Sequence, residues 1–226
     1  MERSSEVRGL RSTAFVAAFA LAGLSFVLYP AIRPFSSEVG MDGARAFSSP
    51  SWVVAHSLGI AAFVLVALGA LGVPLRLRET ASAERTTVAM SMMWIGVGLT
   101  LPYYGAEAFG LHAVGQHVLA QNDPAALQPL AHAIRWEAGI WFIVVGLLLL
   151  AVGSVLLAAT VWRSGVFARW SAIPFAVGLF LYLPQFGAGQ PLRVTHGVLM
   201  LAGCMWLARE LAGPRTVRAS LVPALN

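Results

Sequence analysis

The chain has a single cysteine, no lysine and few charged residues of either sign. One cysteine in 226 residues excludes an intramolecular disulfide, a zinc site built on cysteines and an iron–sulfur cluster held by one chain. Charged residues make up 11% of the sequence, against about 25% in a soluble globular domain. Hydrophobic residues make up 58%, and the mean hydropathy is +0.75. A chain this apolar would aggregate in water, so the composition predicts a membrane protein with lipid as a partner.

The basic residues, all of them arginine, do not indicate nucleic acid. There are 15 of them against 10 acidic residues, for a formal net charge of +5. They form no basic run and accompany no recognition motif, so we predict no nucleic-acid partner. The sequence also lacks a Gly-x-Ser-x-Gly elbow, a phosphate loop, a dinucleotide fingerprint and an aspartate-rich diphosphate motif. Ordinary hydrolysis, ATP use and magnesium-dependent prenyl transfer are therefore not indicated.

Six apolar stretches are each about 20 residues long, the length that crosses ~30 Å of hydrocarbon. They predict an all-α, polytopic transmembrane helical bundle, a single integral membrane domain over residues 1–226. The predicted spans are 13–32, 52–75, 86–104, 136–162, 166–183 and 194–211. A long outer connection, 103–135, joins the third and fourth spans. Its apolar first half and the helix-start signal Asp123-Pro124 predict a structured segment.

The arginines predict the orientation of the bundle. With the N-terminus in the cytoplasm, the cytoplasmic segments hold 11 arginines and the outer segments hold 4. The outer four are Arg33, Arg45, Arg135 and Arg193. Because positive charge is retained on the cytoplasmic side, we predict a multi-pass protein of the cell membrane with both termini cytoplasmic.

A weak repeat divides the spans into three helical hairpins. Each odd-numbered span ends at a proline, and each even-numbered span begins near a histidine. The prolines are Pro30, Pro102 and Pro184, and the histidines are His56, His132 and His196. Such repeated punctuation is typical of an internally duplicated membrane protein.

Polar residues on the outer side indicate acid/base chemistry on a lipophilic substrate. Glu107 and Glu137 lie on adjacent predicted helices at similar depth, and His132 lies one turn before Trp136. At the edge of the hydrocarbon a carboxyl group loses hydration, which favours the neutral acid and makes it a proton donor. We therefore predict Glu107, Glu137 and His132 as catalytic residues. The residues predicted to bind substrate are Tyr103, Tyr104, Trp136, Trp141, Arg135 and Arg193.

Two other functions stay open. His56, His132 and His196 would converge on a metal ion, with Glu107 as a fourth ligand, or hold a haem in a redox protein. No cofactor is favoured, because the sequence has no His-x-x-x-His or Glu-x-x-His pair. Glycine-rich spans and outer prolines are also compatible with a small transporter or an accessory membrane subunit. Homo-oligomerisation is left open.

Two resemblances accompany these residues. With Val161-Trp162-Arg163-Ser164-Gly165, Arg169-Trp170 and Trp206-Leu207-Ala208, the chain resembles a broad group of small polytopic membrane proteins of high-GC bacteria. More loosely, its size, aromatic content and two glutamates look like the integral-membrane terpene cyclases of meroterpenoid pathways, in which intramembrane carboxylic acids protonate an olefin or epoxide. This second resemblance implies an isoprenoid substrate and an acid role for Glu107 and Glu137.

Overall fold

The computed structural model describes residues 2–137 and 139–214, which are all-helical with no strand among them. The α-helices are α1 (Glu2–Ile32), α2 (Gly40–Ser48), α3 (Pro50–Ala70), α4 (Gly72–Leu77), α5 (Ala83–Gly105), α6 (Leu111–Gln121), α7 (Leu127–His132), α8 (Gly139–Ser164), α9 (Ile173–Phe180) and α10 (Gln190–Ala212). Two π-helical segments, Ala106–Gly110 and Ala133–Glu137, and two 3-10 turns, Pro124–Ala126 and Pro184–Gly187, lie between them.

Among the described residues, four segments are long and apolar enough to cross a membrane: Thr13–Ile32, Pro50–Leu77, Gly139–Ser164 and Gln190–Ala212. They correspond to the first, second, fourth and sixth predicted spans, so a membrane-spanning helical bundle is supported. Six spans are not confirmed. Helix α5 has 23 residues but begins with the polar run Glu84-Arg85-Thr86-Thr87, which lowers its hydropathy.

The fifth predicted span, 166–183, is helical only over Ile173–Phe180. Those 8 residues reach about 12 Å at ~1.5 Å per residue, too short to cross hydrocarbon alone. Gly165 adopts a left-handed φ of 66° after α8, which reverses the chain, and turns fill the interval before Ile173. Pro184 begins a 3-10 turn at the other end. A hydropathy window detects the apolar composition of this segment but not these breaks.

Five long helices and the short α9 form a closed ring in chain order within the described residues. Each packs antiparallel against the next, from α1 through α3, α5, α8 and α9 to α10, and α10 returns to pack along α1. Helices α5 and α8 approach closely, and a Cβ on Gly146 would lie 2.9 Å from the Gly96 carbonyl oxygen. Aromatic side chains fill the interior, among them Phe19, Phe63 and Phe175.

Three shorter helices form a cap over one end of the ring. Helices α2, α6 and α7 share a second hydrophobic core, which includes Phe47, Leu111 and Leu127 and receives Trp52 from the start of α3. The two π-helical segments connect this cap to α5 and α8. Single π-helical turns shift the side-chain register of a helix and are frequent at functional sites. The predicted outer connection is thus helical along most of its length.

Candidate functional site

A cavity of about 310 Å³ lies at the capped end of the ring. It combines charged groups with an apolar wall. The charged and polar lining residues are Arg33, Glu38, Tyr29, Tyr103, Tyr104, Glu107, Arg135 and Arg193, and the apolar ones are Trp136, Ile140, Ile143, Leu183 and Phe186. The cavity therefore draws on residues from α1, α5, α8 and α10, the elements between them and both π-helical segments.

Glu107 lies on the π-helical segment Ala106–Gly110 and is 6% exposed. Its backbone carbonyl accepts a hydrogen bond from Trp52 Nε1 at 2.7 Å, which ties the segment to α3. Arg135, on the other π-helical segment, binds the carboxylate with two nitrogens: Nε donates to Oε1 at 2.6 Å and Nη2 donates to Oε2 at 2.9 Å. Such a two-point pair fixes both position and orientation of the carboxylate.

The charged groups continue as a row of ion pairs in which arginines and glutamates alternate. Arg135 Nη1 donates to Glu38 Oε2 at 2.8 Å, and Arg33 Nη2 donates to Glu38 Oε1. The order is therefore Arg33, Glu38, Arg135 and Glu107, with each charge beside its opposite. Burial by itself lowers the pKa of Arg135, but the carboxylates of Glu107 and Glu38 outweigh it and hold that pKa above its ordinary value. This row of ion pairs links the end of α1 to both π-helical segments.

Glu38 is held in an unusual backbone conformation. Its φ is 51°, in the left-handed region that non-glycine residues seldom adopt. Burial raises the pKa of its carboxyl group, but the guanidinium groups of Arg33 and Arg135 outweigh this effect and hold the pKa below the ordinary value of 4.5. Two ion pairs thus accompany the residue with the left-handed backbone.

His56 lies behind Glu107 and is 1% exposed. Its Nε2 is 3.6 Å from Glu107 Oε2, and its Nδ1 donates to the Trp52 carbonyl oxygen at 2.8 Å. A carbonyl oxygen only accepts hydrogen bonds, so Nδ1 carries a proton. In the neutral imidazole, Nε2 therefore presents its lone pair toward the carboxylate. The Glu107 carboxylate oxygen and the His56 Nε2 lone pair, which face each other, together form a proton-accepting site.

Three tyrosines, one from each hairpin, meet next to this cavity. Tyr29, Tyr104 and Tyr182 are all buried. The Tyr104 and Tyr182 hydroxyl oxygens are 2.9 Å apart, and the Tyr29 and Tyr104 rings are 5.7 Å apart in an edge-to-face arrangement. Each tyrosine is within two residues of one of the prolines in the weak repeat. The repeated punctuation is therefore accompanied by one buried tyrosine in each predicted hairpin, and these tyrosines contact one another.

The predicted site residues separate into two groups. Glu107, Tyr103, Tyr104, Trp136, Arg135 and Arg193 line the cavity. His132, Glu137 and Trp141 are exposed. Trp136 is 59% exposed at the rim, and Trp141 is 69% exposed on α8. The structure thus pairs Glu107 with Arg135, and it does not bring Glu137 or His132 to the cavity.

The three histidines of the metal interpretation do not converge. His56 donates to Trp52, His196 Nε2 donates to the Gly178 carbonyl oxygen at 2.7 Å, and His132 is exposed at the end of α7. Within residues 2–137 and 139–214, no group of three His, Cys, Asp or Glu side chains is arranged to hold a metal ion. His132 lies on α7 in the cap, whereas His56 lies on α3 and His196 lies on α10.

Sequence reasoning missed three polar residues of the cavity, Tyr29, Arg33 and Glu38, and the four apolar ones, Ile140, Ile143, Leu183 and Phe186. A usable signal was present in the distribution of arginines. Of the four arginines on the predicted outer side, Arg33, Arg135 and Arg193 line the cavity, and only Arg45 does not. Arginine on the side that is usually poor in positive charge therefore pointed to the site.

No protein-family model, curated protein or solved structure matches this chain.

Proposed function

We propose that this protein is an integral membrane enzyme that performs acid/base chemistry on a lipophilic substrate bound in the capped cavity. The observation that carries the proposal is the buried arrangement of His56, Glu107 and Arg135 beside an apolar wall. Glu107 is the catalytic residue in this proposal because it lines the cavity. His56 does not line it and is a positioning residue that shares the proton.

Glu107 acts as the proton acceptor in the first step. An ion pair with Arg135 requires the carboxylate form, and the His56 Nε2 atom 3.6 Å away offers a second acceptor. A proton removed from the substrate is shared between the two groups and later returned to the substrate. Positioned groups of this kind contribute about 10²–10⁴-fold to rate. The loose cyclase resemblance implied a proton donor, whereas the geometry favours a base that becomes the donor after the first transfer.

The apolar wall favours a hydrocarbon substrate. Ile140, Ile143, Leu183 and Phe186 line the cavity together with the charged groups, and Trp136, which also lines it, is exposed. An isoprenoid, the class implied by the sequence resemblance, is one such substrate. We favour an enzyme over a transporter because aromatic side chains fill the interior of the ring, where a transported molecule would have to pass. Buried Phe26 and Phe63 pack against Tyr104 and Tyr182, and the packing continues to Phe19 and Phe175.

The proposal includes an orientation in the membrane. All six segments of the ring cross or enter the bilayer, both termini are cytoplasmic, and the cavity faces the outer leaflet. The distribution of arginines supports this orientation. To test it, cysteines are introduced at exposed Ser37 and Ala81 in a Cys204→Ser background. A membrane-impermeant maleimide should label Ser37→Cys, but not Ala81→Cys, in intact cells, and the reverse pattern would invert the orientation.

Hydrogen exchange with solvent tests the catalytic proposal on a mixture of natural lipids, so that no single substrate has to be chosen. Purified protein is incubated in D2O with lipids extracted from the cells that produce it naturally, and the lipids are analysed by mass spectrometry. Acid/base chemistry at carbon should place deuterium in one lipid class. Wild-type protein should promote this uptake, and Glu107→Gln should reduce its rate about 100-fold or more.

Asp42→Asn is the matched control, because Asp42 is an exposed carboxylate on the cap that pairs with Arg45 at 2.7 Å. This variant should keep the wild-type rate. Deuterium uptake that does not depend on the protein, or that survives in folded Glu107→Gln, contradicts the proposal.

A further inference from the structure

We infer that the cavity binds the head of an anionic amphiphile, with Arg33 and Arg193 holding the head and the apolar wall holding the tail. The inference rests on the proposed function and names the substrate class: a phosphate or carboxylate group attached to a hydrocarbon chain.

Arg33 is a buried cation with unused hydrogen-bonding capacity. It is 8% exposed, and it contacts Glu38 through Nη2. Its Nε–H is buried and, within the described residues, has no acceptor. Leaving a buried donor unpaired is unfavourable, and an anionic oxygen in the cavity would accept its hydrogen bond. The guanidinium carbon also lies 4.7 Å from the Trp52 ring centre, so the side chain is fixed by packing as well as by charge.

Arg193 reaches the same place from α10. The guanidinium carbons of Arg33 and Arg193 lie 5.1 Å and 5.3 Å from the centre of the Phe35 ring. Arg193 donates to two backbone carbonyls, from Nε to Ala188 at 2.8 Å and from Nη2 to Phe186. Among the described residues, no carboxylate forms a salt bridge with Arg193. Two guanidinium groups therefore converge on one aromatic ring at the cavity.

The charges of the cavity do not balance. Three arginines and two glutamates line it, which leaves one positive charge when both carboxylates are ionised. Charges cancel within the row of ion pairs formed by Arg33, Glu38, Arg135 and Glu107. The excess positive charge therefore resides at Arg193. Arg193 is half-buried and donates to backbone carbonyls. A ligand with one negative charge would remove the excess and would form a charge-assisted hydrogen bond with its guanidinium group. The adjoining apolar wall favours an anion that carries a hydrocarbon tail over a free anion.

Binding to the full-length protein in a non-ionic detergent tests this inference. The probes are farnesyl phosphate, farnesol and inorganic phosphate, and native mass spectrometry or a thermal-shift titration measures their affinities. A charge-assisted hydrogen bond is worth about 1.5–3 kcal/mol, so farnesyl phosphate should bind at least about tenfold more tightly than farnesol. Inorganic phosphate should bind more weakly than farnesyl phosphate, because it lacks the tail.

Substitutions locate the head. Arg193→Gln should remove the preference for farnesyl phosphate over farnesol, whereas Arg193→Lys should keep most of it. Arg33→Gln should weaken the same preference. Arg45→Gln is the control, because Arg45 is an exposed arginine of the cap outside the cavity, and it should bind like the wild type.

Each other outcome overturns the inference in a different way. Equal affinity for farnesol and farnesyl phosphate removes the anionic head site and leaves the proposed acid/base function intact. Equal affinity for inorganic phosphate and farnesyl phosphate removes the tail from the ligand class. If neither lipophilic probe binds, the amphiphile site fails, and deuterium uptake then decides separately whether the acid/base function fails with it.

Discussion

Arg135 binds the Glu107 carboxylate with two hydrogen bonds, from Nε at 2.6 Å and from Nη2 at 2.9 Å. The two residues lie on different π-helical segments, 28 positions apart in the chain. The pair therefore joins α5 to the start of α8 on the side of the cap. It also determines which carboxylate faces the cavity.

Breaking the pair from one side should be costly. Arg135→Gln leaves Glu107 buried without its cation, and breaking a buried pair in this way costs about 3 kcal/mol of unfolding free energy. The double variant Arg135→Gln/Glu107→Gln should recover part of that loss, because no unpaired charge remains. Denaturant titration of the detergent-solubilised protein measures both. Arg45→Gln, which breaks the exposed Asp42 pair, should cost less than about 1 kcal/mol, and an equal cost at both sites would contradict the burial argument.

The two predicted catalytic glutamates should behave differently. Glu107 lines the cavity, whereas Glu137 is exposed. In the deuterium-uptake measurement, Glu107→Gln should lose activity and Glu137→Gln should retain most of it. The reverse result would mean that the exposed carboxylate, as the sequence predicted, takes part in the chemistry.

Stability should depend on acid through Glu38. The pKa of this carboxyl group in the folded protein lies below 4.5, so the folded state holds it ionised more strongly than the unfolded state does. Its contribution is complete above the unfolded value and is lost as the pH falls through the folded value. Unfolding midpoints measured from about pH 7 down to about pH 3 should therefore fall more in the wild type than in Glu38→Gln. Parallel curves would show that Glu38 does not contribute.

The cap should be sensitive to a single methyl group. A Cβ on Gly115 would lie 2.7 Å from the Ala44 carbonyl oxygen and 2.8 Å from the Ser48 backbone nitrogen, so α2 and α6 must separate to admit it. Gly115→Ala should destabilise the protein by about 1–3 kcal/mol. Gly98→Ala is the control, since nothing lies within 4 Å of its added Cβ. In the interior of α5, this change should stabilise by about 0.5–1 kcal/mol. Thermal unfolding distinguishes the two signs.

Part of the site was predictable because it depends on residue type and predicted depth. A carboxylate next to the apolar end of a span, such as Glu107, is unusual enough to indicate a site. Tyr103, Tyr104, Arg135 and Arg193 were predicted from the same reasoning, and they line the cavity. Glu137 met the same criterion, but it lies on the outward side of its π-helical segment and is exposed.

The choice between those two carboxylates depends on local register. A π-helical turn inserts an extra residue into the hydrogen-bonding pattern and changes which side chains face inward. Composition and spacing at i,i+4 assume a regular helix, so they do not reveal this change. The same limit explains Arg33 and Glu38, which are five positions apart near the end of α1 and meet because Glu38 adopts a left-handed conformation.

The sequence by itself determined the medium and the secondary structure class. Long apolar runs with few charges require lipid and helices, because hydrocarbon satisfies no backbone hydrogen bond outside a helix or a closed barrel. Tertiary structure decided which helices are neighbours, and therefore that His56 backs Glu107 while His132 and His196 lie elsewhere. Contacts between side chains distant in sequence depend on the closure of the ring and on two π-helical turns, and both result from packing across the whole bundle.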